Sequence, residues 1–314
     1  IENLPGEHKQ AAIKRLSGKL AHWLKNENTF SPEYQRICVI LKNVTQETIG
    51  QKIFPEALKY LDTFHAVARE ISGKPDEAKN AALEIIDQLA SPENIDILLK
   101  EMDAQDKQAK DDAGHVFAAL GSSAVADLLD QLRGSASSDE RVRIMHLIVY
   151  AREKALPLIT GLITKEAPWF YLRNLAYLLG QIGSEESARL LAPLLSDGNK
   201  KLRQEALKSI HRTGGNQRGK ILLAALPLAE EEFKSSIVEV LGLSKSVEAV
   251  PVLIDLLKDK PLIASSARAG LEEKICAALA SIGSPDAIVP LSEIAEAKSF
   301  LKRRAYPEKV KAAA

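Results

Sequence analysis

Cysteine, aromatic residues, net charge and long apolar runs are all scarce in this chain of 314 residues, and each shortage removes a class of protein. The two cysteines, Cys38 and Cys276, stand 238 positions apart in the apolar contexts RICVIL and EKICAAL, with no CxxC. They read as reduced core thiols of a cytoplasmic protein, which sets aside a disulfide scaffold and a thiolate zinc site. Forty-two Lys plus Arg are matched by 42 Asp plus Glu. The basic surplus of a phosphate-neutralising protein is therefore missing, and nucleic acid is disfavoured as a partner. No run of 18 apolar residues occurs, so no membrane-spanning helix is expected. The start IENLPGEHKQ has neither the basic region nor the apolar centre of a signal peptide. The absence of an initiator Met, with the closing Lys311-Ala312-Ala313-Ala314, reads as a trimmed piece of a larger protein.

What remains is rich in Ala and Leu, 46% hydrophobic and only 5% aromatic, with few clusters that favour strands. An all-α chain is the consistent reading. Written in blocks, it repeats at a period of about 31 residues. Turn-forming pairs recur at Ser91-Pro92, Gly121-Ser122, Ala151-Arg152, Gly183-Ser184, Gly214-Gly215, Ser244-Lys245 and Gly283-Ser284. Before each lies an amphipathic helix, for example Leu172, Leu175, Ala176 and Leu179, or Val142, Met145 and Val149. After each lies a second apolar helix, such as VADLLDQL, ARLLAPLL or AVPVLIDLL. One such hairpin cannot hide both of its apolar stripes. Stacked hairpins bury them against their neighbours, which predicts a solenoid.

Segments such as YLRNLAYLLGQIGSEESARLLAPLLSD, KLRQEALKSIHRTGG and VLGLSKSVEAVPVLIDLLKD resemble HEAT repeats of the bacterial, phycobilin-lyase-like type. The family's apolar-basic pair is found as Val142-Arg143, Leu172-Arg173, Leu202-Arg203 and Phe233-Lys234. Its acidic position is approached by Asp139, Asp197 and Asp259, and Pro157, Pro193, Pro251 and Pro290 punctuate second helices, Pro193 mid-helix. The resemblance covers about residues 73–297 and implies a right-handed α-solenoid, or superhelix, of about seven hairpins. It also implies that Arg143, Arg173, Arg203 and Lys234 form a structural ladder, each base pairing with a neighbouring acid. The last first helix carries about eight extra residues, which should lengthen or kink it.

Residues 1–72 lack the period but show three helices, about 8–26, 33–49 and 55–71, expected to cap the first repeat. Residues 298–314, with Lys302, Arg303 and Arg304, should form a closing helix or linker.

Charge is divided along the chain: residues 1–60 carry +3, 61–140 carry −10, 141–225 carry +8 and 226–314 carry −1. Solvated faces with inter-repeat ion pairs account for this blandly; steering of an anionic or bipolar partner is the functional alternative. In the basic block, Arg189, Arg218 and Lys220 fall on or near second helices, which in the resembling family line the concave face. Trp169, Phe170 and Tyr171 form the one aromatic cluster. One or two of them should be buried, so Trp169 and Tyr171 join the partner-binding candidates.

Catalytic motifs fail on inspection. Gly214 to Ile221 matches the first seven positions of a phosphate-binding loop, but Ile221 replaces the magnesium-holding hydroxyl and the preceding segment is helical. His115, His146 and Tyr177 recur every 31 residues with no further ligand in register. His-Glu dipeptides, which HEAT-type di-iron hydroxylases use, are absent. No GxSxG elbow occurs. No catalytic residue, metal or cofactor is assigned. The expectation is a non-catalytic scaffold or regulatory module that binds a protein or peptide partner. The alternative is a HEAT-like DNA-binding or DNA glycosylase-type enzyme.

Overall fold

The computed structural model describes residues 6–69, 73–213, 215, 217–259, 265–296 and 306–314. Among the described residues are eighteen α-helices, short 3-10 turns and no strand. The helices segregate into two compact units, Ile1–Leu162 and Ile163–Ala314.

In unit 1, α1 (Gly6–Asn26), α2 (Pro32–Gly50) and α3 (Phe54–Ala68) pack on one another, and α2 and α3 lie against α4 (Asp76–Leu89). These are the three lead-in helices, with α3 stopping three residues before the expected end. Hairpins follow: α4 with α5 (Pro92–Glu101), α6 (Lys107–Leu120) with α7 (Ser122–Gly134), and α8 (Ser138–Val149) with α9 (Leu156–Leu162). Leu24, Leu41, Phe64, Phe117, Leu128 and Ile144 are wholly enclosed between them. The stripe expected on α8 is off by two positions. Val142 is 42% exposed, whereas Ile144, Leu147 and Ile148 are buried. Six apolar residues within twelve leave that helix no single periodic answer.

Unit 2 holds four hairpins. Their first helices are α10 (Trp169–Ile182), α12 (Lys200–Thr213), α14 (Glu231–Leu243) and α16 (Ser266–Ile282). Their second helices are α11 (Glu185–Leu191), α13 (Gln217–Ala225), α15 (Val250–Lys258) and α17 (Ile288–Ala295), and α18 (Glu308–Ala313) closes the unit on α16 and α17. Seven hairpins therefore follow the lead-in helices, three in unit 1 and four in unit 2. At 17 residues α16 is longer than the other first helices, as the inserted sequence predicts. Lys302, Arg303 and Arg304 lie outside the described residues.

Serine starts many of these helices. Oγ of Ser31, Ser91, Ser137, Ser184 and Ser265 each accepts the backbone N–H three residues on, a cap worth about 1 kcal/mol. Second helices of unit 2 are shorter and more broken than expected. Pro193 does not sit mid-helix: α11 ends at Leu191, and Pro193 lies in a 3-10 turn, Ala192–Ser196. A proline without an N–H cannot take its place in the α-helical ladder.

Close packing between first helices depends on what occupies one repeating position. A Cβ on Gly180 of α10 would stand 2.8 Å from Ser209 Cα of α12, and one on Gly242 of α14 would stand 2.8 Å from Ala278 Cα of α16. Both pairs of helices interlock along their length. Halfway between, 31 residues from each glycine, α12 carries His211. Its Nδ1 lies 3.5 Å from Ser244 Oγ, and α12 and α14 meet over a much shorter stretch.

Candidate functional site

Adjacent second helices of unit 2 enclose a groove. Ala188 and Leu191 of α11, and Leu222 of α13, are buried. The 3-10 turn Ala192–Ser196 after α11, together with α13 and its following turn, leaves a cleft of about 360 Å³ lined by Ala192, Ser196, Lys220, Ile221, Ala224, Ala225 and Leu228. Leu228, in the 3-10 turn after α13, is 76% exposed, and Ile288 and Val289 at the start of α17 are 63% and 65% exposed. An aliphatic side chain taken fully out of water contributes about 1.5–3 kcal/mol. An apolar wall with one ammonium group at its edge can hold a chain by burial and orient it by charge.

The candidate cations divide on burial. Lys220 is exposed at the groove. Arg189 is exposed on α11 and pairs with Glu186 at 3.6 Å across one turn. Arg218 is a correction: its Nη1 donates to the His211 carbonyl at 3.1 Å and its Nε is enclosed without a partner. The part-buried side chain ties α13 to the end of α12. Of the aromatic cluster, Trp169 and Phe170 remain 39% and 41% exposed, edge to face at 6.3 Å, with Lys201 Nζ 5.9 Å from the Trp169 ring. Tyr171 is 1% exposed and is withdrawn as a surface anchor. Two turns of α10 pack inward, and Tyr171 shares their inner side with Leu172 and Leu175.

The ladder is present at two rungs of four. Arg143 Nη1 bonds Asp103 Oδ2 at 2.7 Å, one hairpin back. Arg203 bonds Glu230 and also caps the turn before its own helix, through the Asp197 carbonyl at 2.9 Å and the Gly198 carbonyl at 3.4 Å. The Arg203 guanidinium also lies 5.2 Å from the Phe233 ring centroid. Arg173 and Lys234 have no acidic partner among the described residues. Two arginines outside the expected series share Arg203's capping role: Arg141 Nη1 bonds the Ser135 carbonyl at 2.9 Å, and Arg268 Nη2 bonds the carbonyls of Leu256 and Asp259. Each thus satisfies carbonyls left open where the preceding second helix ends. Arg268 also pairs with Glu272 at 3.1 Å, and both side chains are buried. The sequence signal was an Arg and a Glu four residues apart in an Ala-rich helix, which reads equally as an exposed pair.

The phosphate-loop match lies in a helix–turn–helix context. Gly214 and Asn216 lie outside the described residues, α12 runs to Thr213, and Gly219 and Lys220 are already inside α13. His115 stacks edge to face on Tyr150 at 5.8 Å, while Arg212 lies over Tyr177 at 5.6 Å. No cluster of three or more potential metal ligands occurs among the described residues. No described helix is long and apolar enough to cross a membrane.

No family model matches the sequence, and no curated protein matches it. Several solved structures are similar over most of the chain. Human deoxyhypusine hydroxylase in complex with glycerol is 15% identical, with a TM-score of 0.31 over 98% of both chains. Escherichia coli YibA is 14% identical, with a TM-score of 0.36 over 91% of this chain and 97% of its own. Kap121p bound to Pho4p is 14% identical, with a TM-score of 0.38 over 93% of this chain and 37% of its own. At such identities and scores, neither the hydroxylase's chemistry nor Kap121p's bound partner transfers to this chain.

Proposed function

We propose that the chain is a HEAT-like, non-catalytic binding module of a cytoplasmic protein, and that the second helices of unit 2 hold a protein or peptide partner. The observation that carries this reading is the open groove between the Ala192–Ser196 turn and α13, whose wall includes an aliphatic residue, Leu228, that is 76% exposed. Aliphatic anchors of the partner fill the groove, and acidic groups beside them meet Lys220 and Arg189. Arg218 is left out because its guanidinium is engaged inside the hairpin.

The test is a peptide selected from a displayed random library against the intact chain, with its affinity measured by calorimetry. Leu228→Asp and Lys220→Glu are each expected to weaken binding at least about tenfold, equivalent to about 1.4 kcal/mol. Both sites are exposed, so the unfolding midpoint should stay where it is. Equal affinity for wild type and both variants would remove the groove from the account. Salt-steep binding of duplex DNA with base release from alkylated DNA would favour the DNA-acting alternative instead.

A further inference from the structure

Unit 1 carries a second groove, unrelated to the one above. It runs between α1 and α3 with a volume of about 590 Å³. Its margins are cationic: Lys14, Arg15 and Lys25 from α1, and Lys59 from α3, with His22 of α1 also on the lining. One carboxylate faces them. Oε1 of Glu56 is held by Lys14 Nζ at 2.7 Å and by Lys59 Nζ at 3.0 Å. Burial pushes the Glu56 carboxyl up, but the hydrogen bonds and charges of the two lysines outweigh it and leave the group below its ordinary value. Glu56 is therefore ionised at neutral pH and fixes both ammonium groups. Arg15 and Lys25 have no ion-pair partner among the described residues.

Small residues of α1, Ala11, Gly18 and Ala21, line it together with the buried Tyr60 and Thr63 of α3. Gly18 lies in the interior of a 21-residue helix, where glycine costs about 1 kcal/mol relative to alanine. Nothing in the fold asks for it: a Cβ there would meet no atom within 4 Å. At Gly180 and Gly242, in contrast, a neighbouring helix already occupies that space. What Gly18 provides is an uncovered stretch of backbone at the centre of a cation-rimmed groove. Lys14 to Lys25 spans about 16 Å at the α-helical rise, three turns of a helix laid alongside.

We infer that the α1/α3 groove docks an acidic α-helix of a partner protein, whose backbone crosses closely at Gly18 and whose carboxylates meet Arg15, Lys25 and Lys59. Interhelical distance depends on the side chains at the contact, and a glycine at the crossing permits the closest approach, while acidic groups three and four residues apart on the incoming helix fall on one face. A nucleic acid fits less well. Tyr60 is buried, so its ring is not offered for base stacking.

The probe is a fluorescein-labelled, alanine-based helical peptide with glutamates at three- and four-residue spacing, titrated into the intact chain by anisotropy. A control peptide has the same composition with the glutamates spread around the helix. The one-faced peptide is expected to bind at micromolar concentration, at least tenfold tighter than the control, and to weaken as salt rises. Gly18→Leu keeps every charge but fills the space at the crossing, and should weaken binding at least tenfold with unchanged circular dichroism. Lys25→Glu, at an exposed and unpaired position, should do the same without depending on how Gly18→Leu folds. The inference is overturned if both peptides bind alike, if Lys25→Glu binds as the wild type does, or if a folded Gly18→Leu variant does so. It is equally overturned if a 20-nucleotide single strand binds more tightly than the peptide with no response to Gly18→Leu.

Discussion

Replacing Arg268 with methionine removes a guanidinium that makes three contacts inside unit 2: one to Glu272 Oε1 at 3.1 Å, one to the Leu256 carbonyl at 2.5 Å and one to the Asp259 carbonyl. Arg268 is 4% exposed and Glu272 2%, so the substitution strands a carboxylate where water cannot reach it. Breaking one side of such a pair costs about 3–5 kcal/mol. Removing both charges together, Arg268→Met with Glu272→Leu, leaves only the two carbonyls short of a donor. At about 1 kcal/mol each, that is about 2 kcal/mol in all. The double variant should therefore be more stable than the Arg268→Met single variant, with a coupling of about 1–3 kcal/mol across the cycle. Amide hydrogen exchange reads this better than bulk unfolding, because two compact units do not guarantee a single transition. Opening free energies of α16 amides should fall by the stated amount, with unit 1 amides unchanged. A loss below about 1 kcal/mol for Arg268→Met, or a double variant worse than either single, would refute the reasoning.

Glycines of opposite surroundings should respond oppositely. Gly242→Ala places a Cβ 2.8 Å from Ala278 Cα and should destabilise unit 2 by about 1–3 kcal/mol, whereas Gly18→Ala should stabilise unit 1 by up to about 1 kcal/mol, both read from urea midpoints. Lys245 and Arg152 hold φ at 49° in turns that glycine fills at Gly183 and Gly283. Glycine there should relieve about 1–2 kcal/mol of left-handed strain against about 0.5–1 kcal/mol of added chain entropy, a small net gain in melting temperature. Both thiols are buried, which pushes Cys38 and Cys276 up to about 11. Neither should react with iodoacetamide at pH 8 until urea unfolds the chain, and labelling of the native protein within minutes would contradict their placement. The lowered Glu56 carboxyl stabilises the fold above its ordinary value of 4.5, and that contribution is lost as pH falls through the depressed folded value. The stability gap between wild type and Glu56→Gln should accordingly be present at pH 7 and shrink on acidification, as read from unfolding midpoints.

The repeat was legible because it has two independent marks. Apolar residues return at helical spacing, and serine or glycine returns at the turns, where Ser91, Ser184 and Gly183 do the capping seen in the structure. Burial within one helix was less so. In α8 the apolar residues surround the axis, and only the neighbouring helices decide that Ile144 turns inward and Val142 outward. Charged positions were least legible. Arg218 and Lys220 are two residues apart in the same basic stretch, yet one bonds a carbonyl inside its hairpin and the other stands at a groove. That choice depends on where the preceding helix ends, which no local pattern records. Likewise Arg268 and Glu272 have the spacing of a solvent-exposed pair and are enclosed only because Leu256 and Asp259 bring the end of α15 over them.

The most direct measurement of the central claim is hydrogen exchange on the intact chain with and without a saturating selected peptide. Slowed exchange should appear in α11, α13 and the turn holding Leu228, and the effect should vanish in the Leu228→Asp variant. Protection confined to first helices, or protection that survives Leu228→Asp unchanged, would contradict a binding surface built on the second helices.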